Sequence, residues 1–217
     1  MSGHSKKAFL SLAKRLKGLP EESQKELKFV LDNQQRILKL ILPLTNKKLS
    51  GKKIRINGDY SLNQVLFTGK DFMVKDFAGE PGKTVGERRL KRSPLRDVAG
   101  MLLSFYYAAH APFLLPGEIP RKEMSGLAPW INLWYAYIAG AFLNGYFSAT
   151  QGSQLLPQSR EEAEILLQVF LTEKAVLTLE AEASARQDWA FVPARFLRRL
   201  LDPAPREDKP QLPEAKP

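Results

Sequence analysis

The chain has 217 residues, of which 44% are hydrophobic and 26% charged, an ordinary globular composition that excludes a fully disordered or fibrous chain. It contains no cysteine, which excludes disulfides, thiolate metal sites and cysteine nucleophiles and favours a reducing, cytoplasmic location. The net charge of +10 comes entirely from residues 1–55, because residues 56–217 hold equal numbers of acidic and basic side chains.

Residues 5–19 and 21–42 each carry apolar side chains at spacings of three and four, which predicts two amphipathic helices. Pro20 separates these helices and Pro43 ends the second, because proline interrupts helical hydrogen bonding. We expect the two helices to form a hairpin within residues 1–50.

The excess positive charge falls on this predicted hairpin. A basic block of this kind is compatible with nucleic-acid binding. Several of its basic residues nevertheless have the spacing of the polar face of a helix, which usually faces solvent: Lys25, Lys28, Arg36 and Lys39. We interpret them as a solvated helix face and expect no nucleic-acid partner.

The periodicity changes from helical to extended in residues 51–80. Short segments rich in Ile, Val and Phe are separated there by glycine-containing turns. They predict three small strands, at residues 53–57, 64–68 and 72–76.

Helical periodicity returns in residues 93–201, after a charged connector. Ser93 and Pro94 are the residue types of an N-cap and a first helical position, and we expect a helix from there to about His110. Further helices are predicted at residues 127–149, 159–185 and 193–201. The predicted fold class is therefore mainly α with a small β-hairpin region.

Residues 127–159 contain no charged side chain and are numerous enough to cross a bilayer. Asparagines and glycines interrupt this segment, however, and its aromatic residues are spread along it rather than concentrated at the two ends. We interpret it as a buried core helix and expect no membrane association. The proline-rich residues 202–217 are predicted to form a disordered tail.

Three polar residues within and around the predicted strands form a pattern that is typical of kinases. In kinases, an Asp accepts the proton of the substrate hydroxyl, an amide residue five positions later holds a metal ion, and an Asp after the next hairpin holds Mg²⁺. Asp59, Gln64 and Asp76 occur in this order. Oxygen ligands of this kind suit Mg²⁺. Without further evidence the pattern has a second interpretation, in which Asp59 belongs to a plain turn and Asp76 caps a strand.

A resemblance to a known family favours the kinase interpretation. Residues 57–66 resemble the His-Gly-Asp-x-His-x-Gly-Gln loop of bacterial maltokinases, relatives of the aminoglycoside phosphotransferases that are often fused to trehalose synthase. Residues 76–81 resemble the Asp-Phe-Glu-Gly-Glu-Pro segment of that family, and residues 87–102 are similar to its next segment over their whole length. Residues 170–175 and 188–189 resemble parts of its closing helices.

The resemblance implies a function and a set of roles. Asp59 would be the catalytic base, Gln64 and Asp76 would bind Mg²⁺, and Asp97 would support the catalytic loop from the helix beneath it. ATP would phosphorylate the anomeric hydroxyl of maltose to give maltose 1-phosphate, in trehalose or glycogen metabolism.

An arginine cluster is expected to form ion pairs with Glu80, Glu87 and Asp97 rather than to bind phosphate: Arg88, Arg89, Arg92 and Arg96. Neither His4 nor His110 is expected to be catalytic.

The chain departs from the family at several positions. The two loop histidines are Asn57 and Ser61, the loop glycine is Asn63, and the glutamate after the metal-binding Asp is Ala78. The second loop histidine and that glutamate lie near the sugar site in the family pattern, so these departures bear on maltose recognition.

The chain also departs from the family in the nucleotide-binding lobe of the kinase, whose features we do not find in the sequence. Before Asp59 the sequence shows neither a glycine-rich loop nor a strand-borne lysine, which such a lobe contains. We therefore expect residues 1–201 to form a C-lobe alone, with the N-lobe absent: a helical hairpin (1–50), a catalytic loop and metal hairpin (51–80) and a helical core (93–201). The isolated chain is expected to be inactive, as a truncated reading frame or as one part of a split enzyme whose partner is an N-lobe or trehalose synthase. The alternative is a non-catalytic, pseudokinase-like binding module associated with trehalose synthase.

Overall fold

A computed structural model of the chain describes residues 2–42, 50–79, 82–115 and 119–202. Within these ranges the chain is mostly helical with one two-stranded sheet, which confirms the predicted mainly α composition. The eight helices of the described ranges are α1 (Ser2–Arg15), α2 (Glu21–Asp32), α3 (Gln34–Ile41), α4 (Val85–Arg89), α5 (Leu95–His110), α6 (Met124–Thr150), α7 (Arg160–Ala185) and α8 (Phe191–Leu201). The strands are β1 (Val65–Phe67) and β2 (Phe72–Val74).

Helix α7 lies at the centre of the core. It packs against α5 and α8, and the N-terminal helices α1 and α3 cover it further. Its side chains at Ala175, Val176 and Leu179 are fully buried. Helix α2 packs on α8, so the hydrophobic side chains of the first 42 residues and of the last three helices belong to one core.

The first two predicted helices are present, but the second is broken. Asn33 separates α2 from α3 and has a non-helical backbone conformation, with φ −101° and ψ 14°. Its side-chain amide donates a hydrogen bond to the carbonyl of Phe29 at 2.9 Å, and polar side chains that bond to the local backbone in this way compete with helical pairing. The basic residues predicted to face solvent are exposed: Lys25, Lys28, Arg36 and Lys39. Pro43 lies outside the described residues.

The prediction of three strands is wrong in one respect, because residues 53–57 do not form a strand. β1 and β2 pair antiparallel, with Val65 opposite Val74 and Phe67 opposite Phe72. Ile54 instead forms a single bridge with Arg92, and the chain then turns into the loop that contains Asp59. A strand needs a row of backbone partners, and only this one pairing is available to residues 53–57.

Helix α6 is buried on one side only, so the prediction of a buried core helix is wrong for its other side. Its buried side chains, Met124, Ile131, Tyr135 and Ala139, lie on one side only. On the other side, Trp130 is 68% and Tyr137 70% exposed. None of the described helices combines the length and hydropathy that a membrane span requires.

Helices α5, α7 and α8 begin and end within a few residues of the predicted positions, whereas α4 lies in the segment predicted as a charged connector. α5 begins at Leu95 with Pro94 at the N-cap position, one residue later than predicted, and the Leu95 amide donates to the hydroxyl of Ser93. Ser159 caps α7 by accepting a hydrogen bond from the amide of Glu162. The predicted disordered tail lies outside the described residues beyond Asp202, and the division into segments 1–50, 51–80 and 93–201 stays a prediction.

Candidate active site

The loop that contains Asp59 is held against α5 by one carboxylate. The Asn57 amide donates to Oδ2 of Asp97 at 2.7 Å, and the Gly58 amide donates to Oδ1 at 2.9 Å. Burial raises the pKa of Asp97, although the two amides and the Lys174 ammonium act in the opposite direction. Asp97 thus lies where a residue that supports the loop has to lie.

Asn57 joins this loop to Asp76. Its side-chain nitrogen donates to the backbone carbonyl of Asp76 at 2.8 Å, and its side-chain oxygen accepts a hydrogen bond from the Asp59 amide at 3.0 Å. Asn57 is itself buried, which protects both hydrogen bonds from water. A residue that departs from the resembled family therefore brings together two of the three predicted site residues.

A glycine of α5 allows the loop to approach the helix. A Cβ atom at Gly100 would lie 2.6 Å from the backbone oxygen of Tyr60, closer than atoms of real side chains approach. One helical turn later, the hydroxyl of Ser104 accepts a hydrogen bond from the Leu62 amide at 3.0 Å. The backbone on both sides of Asp59 is therefore fixed by α5.

The third predicted residue, Gln64, lies at the base of the hairpin. Its backbone carbonyl accepts a hydrogen bond from the Lys75 amide at 2.8 Å, which places Gln64 next to the residue that precedes Asp76. Its side-chain Oε1 is buried and has no hydrogen-bond partner in the part of the chain that the structure describes. A buried oxygen without a partner is destabilising unless something binds it, so Gln64 has the free acceptor that a cation ligand requires.

Asp76 has an unusual backbone conformation. Its φ is +58°, a region that residues other than glycine rarely adopt and that often marks functional sites. Its Oδ1 accepts a hydrogen bond from the Ala78 amide at 2.9 Å. The side chain is exposed, so the second carboxylate oxygen is accessible for a ligand.

The donor set of this site fits a hard cation in composition. The carboxylate of Asp76 and the amide oxygen of Gln64 are ligands that Mg²⁺ accepts together with water molecules. Groups of three or more His, Asp or Glu side chains able to hold a metal ion are absent from the described ranges. The predicted ligands are not a group of that kind, because one of the two oxygens comes from Gln64.

Lys174 is a residue of the site that the sequence analysis missed. Its ammonium lies 3.5 Å from Oδ1 of Asp59, and both side chains are about one third exposed, at 34% and 33%. The sequence gives a weak signal, because Glu173 and Lys174 form a charged pair within a largely apolar stretch of α7. Lys174 and Asp59 are separated by 115 positions in the sequence, so their contact could not be predicted from local patterns.

The arginine cluster does not pair as expected. Arg96 forms its ion pair with Glu173 at 2.7 Å and lies over the ring of Phe170. Arg88 donates to the backbone carbonyls of Lys83 and Ala78. Both oxygens of Asp97 accept backbone amides instead, and Glu80 lies outside the described residues.

Among the described residues, neither histidine forms a hydrogen bond or an ion pair with Asp59. His110 is buried at the end of α5 between Tyr106 and Phe191, and its Nδ1 lies 2.8 Å from the Tyr106 carbonyl. Burial lowers the pKa of His110 to about 4, so it is neutral at physiological pH. His4 is an exposed residue of α1.

No family model matches the chain. Solved structures of glucosamine kinase do match it. One crystal form superposes with a TM-score of 0.70 at 21% identity, over 92% of this chain and 46% of that chain. A complex with glucosamine, ADP and inorganic phosphate gives a TM-score of 0.69 at 20% identity, over 92% of this chain and 44% of that chain.

The chain therefore has a kinase-like fold, like these structures of glucosamine kinase. It spans less than half the length of those structures.

Proposed function

We propose that this chain is the C-lobe of an ATP-dependent sugar kinase that resembles maltokinase, with Asp59 as its catalytic base. The observation that carries the proposal is the position of Asn57, which hydrogen-bonds both the Asp59 amide and the Asp76 carbonyl. One side chain thereby links the backbone of Asp59 to that of Asp76, which supports a shared site of the kind that phosphoryl transfer requires. The glucosamine kinase fold supports the same class of reaction.

The chain's own residues would orient and deprotonate the sugar. Asp59 accepts a hydrogen bond from the attacking hydroxyl and takes its proton as the sugar oxygen bonds to the γ-phosphorus of ATP and the bond to ADP breaks. The hydrogen bonds from the Asn57 and Gly58 amides to Asp97 hold the loop. The Asp59 carboxylate would therefore need little reorganisation during the reaction. Lys174, paired with Asp59 at 3.5 Å, would hold the carboxylate of the base in position.

Gln64 and Asp76 would hold Mg²⁺ in this proposal, through the free Oε1 of the amide and the exposed carboxylate. The ion would supply charge neutralisation on the phosphate oxygens. Maltose is the proposed acceptor. The polar side chains at Asn57 and Ser61 and the small Ala78 replace the family residues, so acceptor preference has to be measured against glucosamine, the sugar bound in one matching structure.

A nucleotide-binding lobe would cover the hairpin. The hairpin and the segment after it expose a group of large apolar side chains: Leu66, Phe67, Phe72, Met73 and Phe77. They adjoin Asp76 along the chain. Because the matching sugar kinases are more than twice as long as the matched region, we propose that a separate lobe, or a trehalose synthase domain carrying one, packs on this surface.

The test is reconstitution. ADP release is measured with MgATP and either maltose or glucosamine, for the chain alone and mixed with a separately produced nucleotide-binding lobe. We expect turnover only in the mixture, and we expect Asp59→Asn to abolish it. Asp32→Asn is the matched control, because Asp32 is an exposed residue at the end of α2, outside the loop and the hairpin, and should leave turnover intact. Full turnover by the chain alone, or by the Asp59→Asn mixture, would contradict the proposal.

A second candidate is a non-catalytic, pseudokinase-like binding module. Its support is the ion pair between Lys174 and Asp59, which occupies the base, together with the replaced residues Asn57, Ser61 and Ala78. A mixture that binds ATP and sugar but gives no turnover with any acceptor would favour this module over the enzyme.

A further inference from the structure

A cavity of about 380 Å³ lies beside the loop that carries Asp59. Asn57, Gly58 and Tyr60 form one wall. The other walls are formed by residues of α4, α5 and α7, by the segments that precede α4 and α5, and by His4 of α1. A volume of this size is typical of sites for small organic molecules.

The lining of this cavity is strongly cationic. We call it the basic cavity and define it by five side chains from three parts of the chain: Lys83, Arg88, Arg92, Arg96 and Lys174. Two carboxylates, Glu87 and Glu173, also line it. The cations therefore outnumber the anions among its described residues, although residues 56–217 as a whole are electrically neutral.

Both carboxylates have partners, and lining cations are among them: Arg96 pairs with Glu173, and the charges of Lys83 and Arg92 act on Glu87. Glu87 accepts hydrogen bonds from the amide and the hydroxyl of Thr84, at 2.9 and 3.0 Å, in the capping box of α4. Glu173 is paired with Arg96 at 2.7 Å. Within the part of the chain that the structure describes, no ion pair joins Lys83, Arg88 or Arg92 to a carboxylate.

The cationic side chains are also partly desolvated and fixed in place. Lys83, Arg88 and Arg92 are half-buried, and the side chain of Arg96 is only 26% exposed. Arg88 donates to the carbonyls of Lys83 and Ala78 at 2.9 and 3.2 Å. Holding several half-buried cations together is unfavourable unless an anion neutralises them, and the fixed guanidinium groups reduce the entropic cost of binding one.

We propose that the basic cavity binds a phosphate group, either as free inorganic phosphate or as the phosphate of a small organic molecule such as a sugar phosphate. Arginine forks match the oxygens of a phosphate, and the volume accommodates a monosaccharide attached to it. Binding at this site needs no ATP, metal ion or second lobe, so the proposal goes beyond the proposed function and can succeed or fail independently of it.

The test is calorimetric titration of the whole chain with inorganic phosphate, glucose 1-phosphate and glucose, at low and at raised salt. We expect saturable binding of a phosphate-bearing ligand, weakened by salt, and no binding of glucose. Tighter binding of glucose 1-phosphate than of inorganic phosphate would identify the organic source, and equal or weaker binding would identify the free ion. Absence of saturation with both phosphate ligands at low salt would overturn the proposal.

Neighbouring arginines of one helix supply the matched control. Arg88→Met removes a lining cation, whereas Arg89→Met removes an exposed cation that does not line the cavity. We expect the first to weaken phosphate binding about tenfold or more and the second less than about twofold, because a charge-assisted hydrogen bond is worth roughly 1.5–3 kcal/mol. Arg92→Met removes another lining cation, should weaken binding to a similar extent, and serves if Arg88→Met unfolds. Equal weakening by Arg88→Met and Arg89→Met would show binding to overall charge and overturn the assignment.

Discussion

The helical core and the loop and hairpin region of residues 50–92 are stabilised in different ways. In the core, large apolar side chains such as Phe9, Phe191 and Phe196 are at most 1% exposed. In the hairpin, Phe67 and Phe72 are 66% and 68% exposed, and the region is held by hydrogen bonds to Asp97, Asn57 and Ser104. Apolar burial contributes most of the folding free energy but has no preferred direction. A few hydrogen bonds fix geometry but contribute little net stability. Substitutions in the site region should therefore alter the geometry of the site while the helical core stays folded.

The sharpest test of this difference compares two phenylalanines. Phe196→Ala should lower the free energy of unfolding by about 3–5 kcal/mol, because it leaves a cavity among Tyr106 and Tyr135. Phe67→Ala should lower it by less than about 0.5 kcal/mol, since the ring is already exposed. Urea denaturation measures both. Similar losses would show that the hairpin belongs to the cooperative core.

The second prediction concerns the pH dependence of the core. His110 has a pKa of about 4 in the folded chain and an ordinary value of 6.5, so the unfolded state binds more protons between these two pH values. Stability should therefore fall as the pH drops from about 6.5 to about 4, by roughly 3 kcal/mol from this residue. The groups around it are Tyr106, Phe191 and the cationic Arg195.

The measurement is the free energy of unfolding of the wild type and of His110→Leu across this pH range. Carboxylates titrate in both proteins, so only the difference between the two curves reports His110. We expect the wild-type curve to fall more steeply than the variant curve between pH 6.5 and 4, by roughly 3 kcal/mol in total. Parallel curves would show that His110 does not titrate in this range.

Two helical glycines test how closely the loop approaches α5. Gly100→Ala should destabilise the chain by about 1–3 kcal/mol and shift the amide resonances of Gly58 and Tyr60, because the new methyl group meets the Tyr60 carbonyl. Gly140→Ala is the control, since its methyl group meets nothing within 4 Å, and it should stabilise α6 by up to about 1 kcal/mol. Thermal unfolding and NMR spectra measure both effects. Equal stabilisation by the two substitutions would contradict the close approach.

Asp97→Asn should affect the site region more than the core. The amide has one acceptor oxygen where the carboxylate has two, so the Asn57 or the Gly58 amide loses its partner, at a cost of roughly 1–2 kcal/mol. Hydrogen exchange should accelerate at residues 57–62 and stay unchanged in α7. Uniform acceleration over the whole chain would show that the anchor stabilises the fold globally.

The smallest expected effect is at Gln64. Gln64→Leu removes a buried oxygen without a partner and should change stability by no more than about 1 kcal/mol, in the stabilising direction. Mn²⁺ titration followed by paramagnetic line broadening should show at the same time that cation binding near Asp76 is lost. Asn63→Leu, at the exposed neighbouring position, is the control. Clear destabilisation by Gln64→Leu would mean that the amide already has a structural partner.

The sequence predicted the helices well because their apolar residues recur with the period of a helix. The ends of α5 and α7 agree with the prediction to within two residues. The break at Asn33 was missed, since one asparagine in a helical pattern does not reveal whether its side chain will bond to the backbone. The face of α6 that is buried could not be predicted, because apolar residues surround that helix on all sides.

Local patterns identified much of the candidate site as well. Asp59, Gln64 and Asp76 stand out through their order, and Asp97 through the segment that resembles a known family. Lys174 and the basic cavity could not be predicted, since they depend on how α7 packs against the loop. Contacts between residues far apart in sequence follow from tertiary packing, which local periodicity does not encode.

The uneven exposure of the tryptophans has a spectroscopic consequence. Trp130 and Trp134 lie on the open side of α6, at 68% and 44% exposure, whereas Trp189 stacks on Tyr107. The intrinsic fluorescence of the folded chain should therefore be dominated by water-exposed indoles and emit at long wavelength. A molecule that covers this side of α6 should shift the emission to the blue, so the protein carries its own optical probe for that surface.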